Sequence, residues 1–175
     1  GPLIHNPRVV SDLEAHGVSV CESCDVPKGS SLVLRTHGVS AATELEAQEH
    51  GLDVIDATCP FVRRVQNAAH ELENDGYQVL VVGEKDHPEV LGILGHATHA
   101  HVVGAPEDLE SLELSGKVGI VCQTTQTPQL LQEIVSKVVM HARELRVINT
   151  ICAATNERQS AARELAQRAD VMLVI

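Results

Sequence analysis

The stretch Asp56-Ala57-Thr58-Cys59-Pro60-Phe61-Val62 marks the point where a strand ends and a helix begins. An apolar, β-branched run at 52–55 precedes it, and apolar residues then recur with helical spacing as far as Leu72. Proline suits the first position of a helix, so Pro60 places Cys59 at the N-cap. The positive end of a helix dipole stabilises a thiolate, the metal-binding and nucleophilic form of cysteine. Considered alone, Cys59 would be interpreted as a buried, unreactive side chain, and the recurrence of this arrangement along the chain argues against that interpretation.

The same strand–loop–helix arrangement recurs along the chain with other reactive side chains in the position of Cys59. Further strands are predicted at 18–20, 31–35, 77–82, 117–122, 145–148 and 170–175. Helices are predicted from 7 to about 17, at 41–50, from 60 to about 76, from 88, from 128, and from 156 to about 169, where Thr155 would be the cap. Strands that alternate with helices form parallel sheets, so the sequence predicts an α/β fold of repeated modules.

The loops that follow these strands hold the candidate functional residues: His37, Cys59, His87, Glu89, Thr124 and Cys152. Carboxyl ends of parallel strands lie on one side of a sheet, where ligands bind. Two thiolates favour a soft metal or an iron–sulfur cluster over magnesium. Histidines beside helix N-termini suit an anion such as phosphate, and a carboxyl group can move protons. The same residues leave open a Cys–His nucleophile pair of the hydrolase or transferase type.

Composition limits the classes of partner. The chain has 175 residues, 43% of them hydrophobic, and a net charge of −11, which argues against nucleic acid and anionic membranes as partners. The sequence contains neither a run of transmembrane length nor a basic-then-apolar signal peptide. Five cysteines without a close framework predict a reducing, cytoplasmic location.

Two other groups of possible metal ligands stand apart from the strand ends. Cys21 and Cys24 form a CxxC pair in a loop, but a structural zinc site needs a second pair, so we predict that the spacing is incidental. His96, His99 and His101 are predicted to lie on an exposed turn and a short strand. A zinc protein built from both groups is the remaining alternative.

Six motifs in order resemble the IspH/LytB family, the 4-hydroxy-3-methylbut-2-enyl diphosphate reductases of non-mevalonate isoprenoid biosynthesis. The resemblance runs through essentially the whole chain, and no one motif is specific by itself. The motifs are His5-Asn6, Thr36-His37-Gly38-Val39, Asp56-Ala57-Thr58-Cys59-Pro60, His87-Pro88-Glu89-Val90 with Gly92, Gln123-Thr124-Thr125, and Cys152-Ala153-Ala154-Thr155 with Arg158-Gln159.

The resemblance implies three similar α/β modules in a pseudo-threefold arrangement around a central [4Fe-4S] cluster. The modules would be 1–59, 60–149 and 150–175, with the first and third truncated. The implied residue roles are cluster ligation by Cys59 and Cys152, substrate binding, chiefly of the diphosphate, by His5, His37 and His87, contact with the substrate hydroxyl by Thr124, and proton donation by Glu89.

The implied reaction is reduction of 4-hydroxy-3-methylbut-2-enyl diphosphate to isopentenyl and dimethylallyl diphosphate with loss of water. Electrons would come from a donor such as ferredoxin or flavodoxin. The family's first cluster cysteine, in a Gly-Phe-Cys-like segment, and a Ser-x-Asn stretch that holds the diphosphate have no counterpart in this sequence. We therefore expect an internal piece with two of three cluster ligands, without a stable cluster and with little activity alone. The alternative is a truncated or degenerate relative that only binds a diphosphate, or is a folded inert piece.

Overall fold

A computed structural model describes residues 1–114 and 116–173 of the chain. Its strands are β1 (Ser31–Leu34), β2 (Asp53–Asp56), β3 (Gln78–Val82), β4 (His101–Val103), β5 (Lys117–Cys122) and β6 (Glu144–Val147). Its α-helices are α1 (Pro7–Ala15), α2 (Ala41–Glu49), α3 (Pro60–Asn74), α4 (Pro88–Leu94), α5 (Pro128–Val138) and α6 (Ala153–Arg168), and a 3-10 helix spans Pro106–Ser111. Within these described residues, every helix is too short or too polar to cross a lipid bilayer.

All strand pairs are parallel, which confirms the predicted α/β fold with parallel sheets. β1 and β2 pair with each other, with Ser31 opposite Asp53. The other four strands form a second sheet in the order β4-β3-β5-β6. Because the strands within each sheet run in one direction, the loops after them gather at a common edge.

Helices cover both faces of the four-stranded sheet. Val79 and Val81 of β3 pack in one core cluster with α3 and α4, whereas Leu80 and Val82 pack in the other with α5. Successive side chains of a strand point to opposite faces, so a run of four buried residues identifies a strand covered on both sides. A smaller core joins Leu32 and Leu34 of β1 with α2.

Three predicted elements differ from the structure. The strand predicted at 18–20 is an irregular segment in which Val18 and Val20 are exposed and lack a strand partner. Helix α6 begins at Ala153 with Cys152 as its N-cap, three residues before the predicted start. The strand predicted at 170–175 is irregular over 170–173, and residues 174 and 175 lie outside the described part of the chain.

Candidate active site

Three histidines from separate segments meet beside the carboxyl ends of the strands. The ring of His37 lies 4.5 Å from that of His5 and 5.7 Å from that of His87, and His5 and His87 are 6.5 Å apart. The amide and the hydroxyl of Thr36 both donate to the carbonyl of Leu3 at 3.1 Å, which brings His5 to His37. The structure therefore brings together the three histidines singled out in the sequence, which we call the histidine trio.

The middle ring of the trio is held neutral. Burial, and then the neighbouring His5, His87 and Arg35, lower the pKa of His37 to about 4. Protonated rings this close repel one another, so the free site disfavours charge on His37. An anion placed against the trio reverses this effect, because opposite charge stabilises the protonated ring.

His87 also serves as the N-cap of α4. Its Nδ1 accepts a hydrogen bond from the amide of Glu89 at 3.1 Å. A nitrogen that accepts carries no hydrogen, so in the neutral ring the hydrogen is on Nε2. The cap thus leaves Nε2 of His87 as a hydrogen-bond donor towards a ligand.

Glu89 is a buried carboxyl group bound by a single neighbour. Thr124 donates its amide to Oε1 at 2.7 Å and its hydroxyl to Oε2 at 2.8 Å. Only 2% of Glu89 and 7% of Thr124 are exposed. Burial raises the pKa of Glu89, while the two bonds from Thr124 and the nearby His87 oppose the shift. A carboxyl group with a raised pKa can donate a proton near neutral pH.

Cys59 lies at the N-cap of α3, as the sequence predicts. Its amide donates to the carbonyl of Thr36 at 2.9 Å, so it follows directly on the segment that carries His37. Asp56 accepts the amide of Thr58 at 2.9 Å and a guanidinium bond from Arg63 at 2.7 Å. The half-buried thiol itself makes no capping hydrogen bond.

Cys152 occupies the same kind of position at α6. Its amide donates to the carbonyl of Thr124 at 2.8 Å, next to the pair formed with Glu89. The amide of Thr155 lowers the pKa of the Cys152 thiol, as expected at a helix N-terminus. A continuous series of contacts thus joins the two cysteines, running through Thr36, the histidine trio, Glu89 and Thr124.

A sequence model of the family described as LytB protein matches residues 1–175, the whole chain. The chain belongs to the LytB family. A LytB relative in Pelobacter propionicus is the 4-hydroxy-3-methylbut-2-enyl diphosphate reductase of that organism, and it is 43% identical over 176 residues. The corresponding reductase of Aquifex aeolicus is 41% identical over 179 residues. Both matches cover all of this chain but only 63% and 62% of the relatives, so the chain spans less than two thirds of their length.

Solved structures agree with the assignment to the LytB family. A structure described as (E)-4-hydroxy-3-methyl-but-2-enyl diphosphate reductase, the terminal enzyme of the non-mevalonate pathway, matches with a TM-score of 0.82 and 40% identity. The match covers 98% of this chain and 63% of that one. The E-1-hydroxy-2-methyl-but-2-enyl-4-diphosphate reductase from Plasmodium falciparum matches with a TM-score of 0.87 and 32% identity, over 96% of this chain and 55% of that one.

The other cysteines and the histidines at 96–101 belong neither to the histidine trio nor to the two cysteine N-caps, although Nε2 of His96 lies 3.1 Å from the carbonyl oxygen of Val39, two residues after His37. Cys24 is buried in the small core beside β1, with its thiol 3.8 Å from the carbonyl of Thr43, and Cys21 packs against the same core. Burial raises the pKa of Cys122 to about 12, which suits a core side chain. Over residues 1–114 and 116–173, the side chains of His, Cys, Asp and Glu form no group of three or more able to hold a metal ion. This holds for Cys21, Cys24 and the histidines at 96–101, and within the same residues no third such side chain joins Cys59 and Cys152.

A buried glutamine that no sequence pattern reveals packs against the segment after His37. Gln66 of α3 is fully buried, and its Nε2 donates to the carbonyl of Val39 at 3.4 Å. Its Oε1 is the single buried side-chain oxygen or nitrogen without a partner among the described residues. A Cβ on Gly38, which has φ of +71°, would lie 2.3 Å from Nε2 of Gln66. The segment after His37 therefore packs directly on this amide, a contact between distant positions that leaves no local sequence signal.

Proposed function

We propose that this chain carries the diphosphate-binding residues and the proton donor of a 4-hydroxy-3-methylbut-2-enyl diphosphate reductase. The products would be isopentenyl and dimethylallyl diphosphate, with the hydroxyl group lost as water. One observation carries the proposal: the histidine trio lies beside the buried Glu89–Thr124 pair. His87 connects them, because it belongs to the trio and its Nδ1 accepts the amide of Glu89. The reductases that are similar over the whole chain support it.

The histidine trio would bind the diphosphate. Three imidazoles within 6.5 Å of one another could together donate hydrogen bonds to a multiply charged anion. Nε2 of His87 is directed to donate because Nδ1 is used by the cap of α4. Proton uptake by His37 on binding would then convert a neutral hydrogen bond into a charge-assisted one.

Glu89 and Thr124 would deliver the proton to the departing hydroxyl. The hydroxyl of Thr124 is 2.8 Å from Oε2 of Glu89, so a substrate hydroxyl that contacts Thr124 comes within one relay step of the acid. For this relay Glu89 is first protonated on Oε2 and the Thr124 hydroxyl reverses its bond. It then accepts the proton of Oε2 and passes its own proton to the substrate oxygen, which leaves Glu89 ionised and the hydroxyl group departing as water. The raised pKa of Glu89 keeps that proton available.

The donor set fits an iron–sulfur cluster as its resident group. Cys59 and Cys152 present half-buried, disulfide-free thiols at the N-termini of α3 and α6. Cysteine thiolates are the ligands of such clusters, and a helix N-terminus favours the thiolate. Cys59 and Cys152 would hold a [4Fe-4S] cluster together with a third thiol. When bound, the cluster supplies the two electrons of the reduction, delivered from a donor such as ferredoxin or flavodoxin.

The proposed module boundaries at 59/60 and 149/150 fit this arrangement. β1 and β2 pair only with each other among the described strands, and β3 to β6 form the other sheet. Helix α6 has no buried residue, as expected for the start of a third module. Each proposed cluster cysteine then lies within three residues of a boundary between modules.

Calorimetric titration with inorganic pyrophosphate and with the diphosphate substrate tests the binding site. We expect His37→Ala and His87→Ala to weaken binding by about tenfold each, because each removes a charge-assisted hydrogen bond. His99→Ala is the matched control, since His99 is an 89% exposed histidine outside the trio. Equal affinity in all four proteins would overturn the assignment.

Anaerobic reconstitution with iron and sulfide tests the cluster. Because two of the three thiols come from this chain, we expect weak uptake that Cys59→Ser or Cys152→Ser abolishes. A stable four-iron absorbance with turnover of the substrate contradicts the two-ligand assignment. Pyrophosphate binding without any iron uptake favours the alternative, a relative that only binds a diphosphate.

A further inference from the structure

Thr150 makes two hydrogen bonds to one residue at the end of β5. Its Oγ1 accepts the amide hydrogen of Cys122 at 2.8 Å and donates to the carbonyl oxygen of Cys122 at 2.5 Å. Only 4% of Thr150 is exposed, and Cys122 is fully buried. Water therefore has no access to replace either bond.

The hydroxyl of Thr150 pairs the backbone of Cys122 where a neighbouring strand would otherwise do so. The pairing of β6 with β5 ends at Ile120 and Val147, and Ile148 then donates its amide to the carbonyl of Ile120 at 2.9 Å. In a parallel ladder, alternate residues bond to the same neighbour, so Cys122 faces the edge where β6 has already left the sheet. A buried amide and carbonyl left unpaired are costly, and the side chain of Thr150 satisfies both.

The same two bonds fix the position of two site residues. Thr124 follows Cys122 by two residues, and Cys152 follows Thr150 by two residues. The amide of Cys152 donates to the carbonyl of Thr124 at 2.8 Å, which closes a ring of contacts through Cys122, Thr150, Cys152 and Thr124. With Thr150 held on Cys122, the start of α6 has one register relative to the loop after β5.

We propose that Thr150 is a positioning residue that sets Cys152 against Thr124. The roles of Cys152 as a cluster ligand and of Thr124 as a substrate contact rest on the proposed function, whereas the contacts of Thr150 do not. Loss of its hydroxyl would let the start of α6 move relative to Glu89 and Thr124. Serine in its place keeps both bonds and loses only a methyl group.

Cysteine alkylation in the cluster-free, reduced chain tests the proposal. The rate of iodoacetamide labelling at Cys152 is divided by the rate at Cys59 in the same sample, with peptides quantified by mass spectrometry. We expect Thr150→Val to change this ratio by about fivefold, the effect of roughly one hydrogen bond, and Thr150→Ser to change it less than about twofold. The matched control is Thr127→Val, which removes the hydroxyl that accepts the amide of Leu130 at the N-cap of α5. Equal ratios in Thr150→Val and the unaltered chain overturn the proposal.

Amide exchange in the unaltered chain gives a second measurement that does not depend on a variant folding. We expect the amide hydrogen of Cys122 to exchange as slowly as those in the centre of β5, although its partner is a side chain. Exchange at the rate of an exposed loop overturns the proposal.

Pyrophosphate titration of the same proteins separates this proposal from the proposed function. A changed labelling ratio in Thr150→Val, with no pyrophosphate binding to the unaltered chain, supports the positioning role and refutes the diphosphate site. Pyrophosphate binding to the unaltered chain, with an unchanged labelling ratio in Thr150→Val, supports the diphosphate site and refutes the positioning role.

Discussion

Thr124 donates two hydrogen bonds to the one carboxyl group of Glu89, from its amide at 2.7 Å and from its hydroxyl at 2.8 Å. The two residues belong to different segments, the first turn of α4 and the loop that follows β5. A carboxyl group that accepts two bonds from one residue has a fixed orientation, and both partners are buried. The orientation of the Glu89 carboxyl group is therefore set by the packing around the sheet and not by solvent.

Replacing Glu89 by glutamine should stabilise the chain increasingly as the pH rises. Burial raises the pKa of Glu89 above its unfolded value, so its contribution favours the folded state below that unfolded value and is lost as pH rises through the folded value. Glutamine keeps the shape and does not titrate. The free energy of unfolding of the variant, measured in urea relative to the unaltered chain, should rise between pH 4.5 and pH 7.5. The expected rise is about 1.4 kcal/mol per unit of pKa shift.

The control for this measurement is Glu107→Gln, a change at an exposed glutamate of the 3-10 helix. The change in relative unfolding free energy between the two pH values should be larger for Glu89→Gln than for this exposed control. A constant difference for Glu89→Gln would mean that Glu89 titrates alike in the folded and unfolded chain.

His37 should titrate far below an ordinary histidine until an anion binds. Its pKa is about 4 in the free chain because of burial and the neighbouring rings, so its contribution to stability is lost as pH falls from about 6.5 towards 4. Pyrophosphate bound to the trio should raise that pKa, since opposite charge favours the protonated ring. The chemical shift of the ring Cε1 proton, followed against pH with and without pyrophosphate, measures both values.

His99 serves as the internal reference in the same spectra, because it is an exposed histidine outside the trio. The chemical shift of its ring Cε1 proton should not change when pyrophosphate is added. An ordinary titration of His37 in the free chain, or one that pyrophosphate leaves unchanged, contradicts the arrangement of the trio.

Alanine at Gly38 should be much more costly than alanine at Gly76. Both glycines have a left-handed backbone, with φ of +71° and +78°, but a Cβ on Gly38 meets Gln66 at 2.3 Å whereas one on Gly76 meets nothing within 4 Å. The backbone cost, about 1–2 kcal/mol, is common to both. Overpacking adds about 1–3 kcal/mol at Gly38 alone. Urea unfolding of the two variants measures the difference, and equal losses would show that the amide of Gln66 moves aside freely.

Gly119 and Leu72 should behave as a coupled pair. A Cβ on Gly119 of β5 would lie 2.9 Å from both methyl carbons of Leu72, which is fully buried in α3. Gly119→Ala should cost about 1–3 kcal/mol by overpacking, and Leu72→Ala about 2–5 kcal/mol by leaving a cavity. In the double variant the new methyl group partly fills that cavity. Its loss of unfolding free energy should therefore fall short of the sum by about 0.5–3 kcal/mol, and an additive result contradicts the contact.

The two central strands of the four-stranded sheet, β3 and β5, follow from local sequence because they are buried apolar runs bounded by turns. β5 begins and ends where predicted, and Pro60, Pro88 and Pro128 start helices as expected. The segment at 18–20 has a similar composition but faces solvent without a strand partner, and pairing is not visible in composition. At α6 the preference of threonine for caps suggests Thr155, yet the contact of Cys152 with Thr124 starts the helix earlier.

Parallel strands direct the loops that follow them to one edge of the sheet, so the residues of those loops can be predicted to lie at the site. The structure brings His37, His87, Glu89 and Thr124 into contact as this predicts. Sequence patterns do not show which backbone groups remain to be paired after a strand leaves a sheet. The roles of Thr150 and Gln66 depend on contacts across 28 residues in each case, so they require coordinates.

The histidine trio draws its members from both sheets: His5 and His37 accompany the β1–β2 pair, and His87 follows β3. A pyrophosphate ion held by all three rings therefore touches the two halves of the chain simultaneously, and its binding free energy opposes their separation. The melting temperature of the chain should then rise with pyrophosphate concentration. The two sheets should also unfold in a single transition when the trio is occupied.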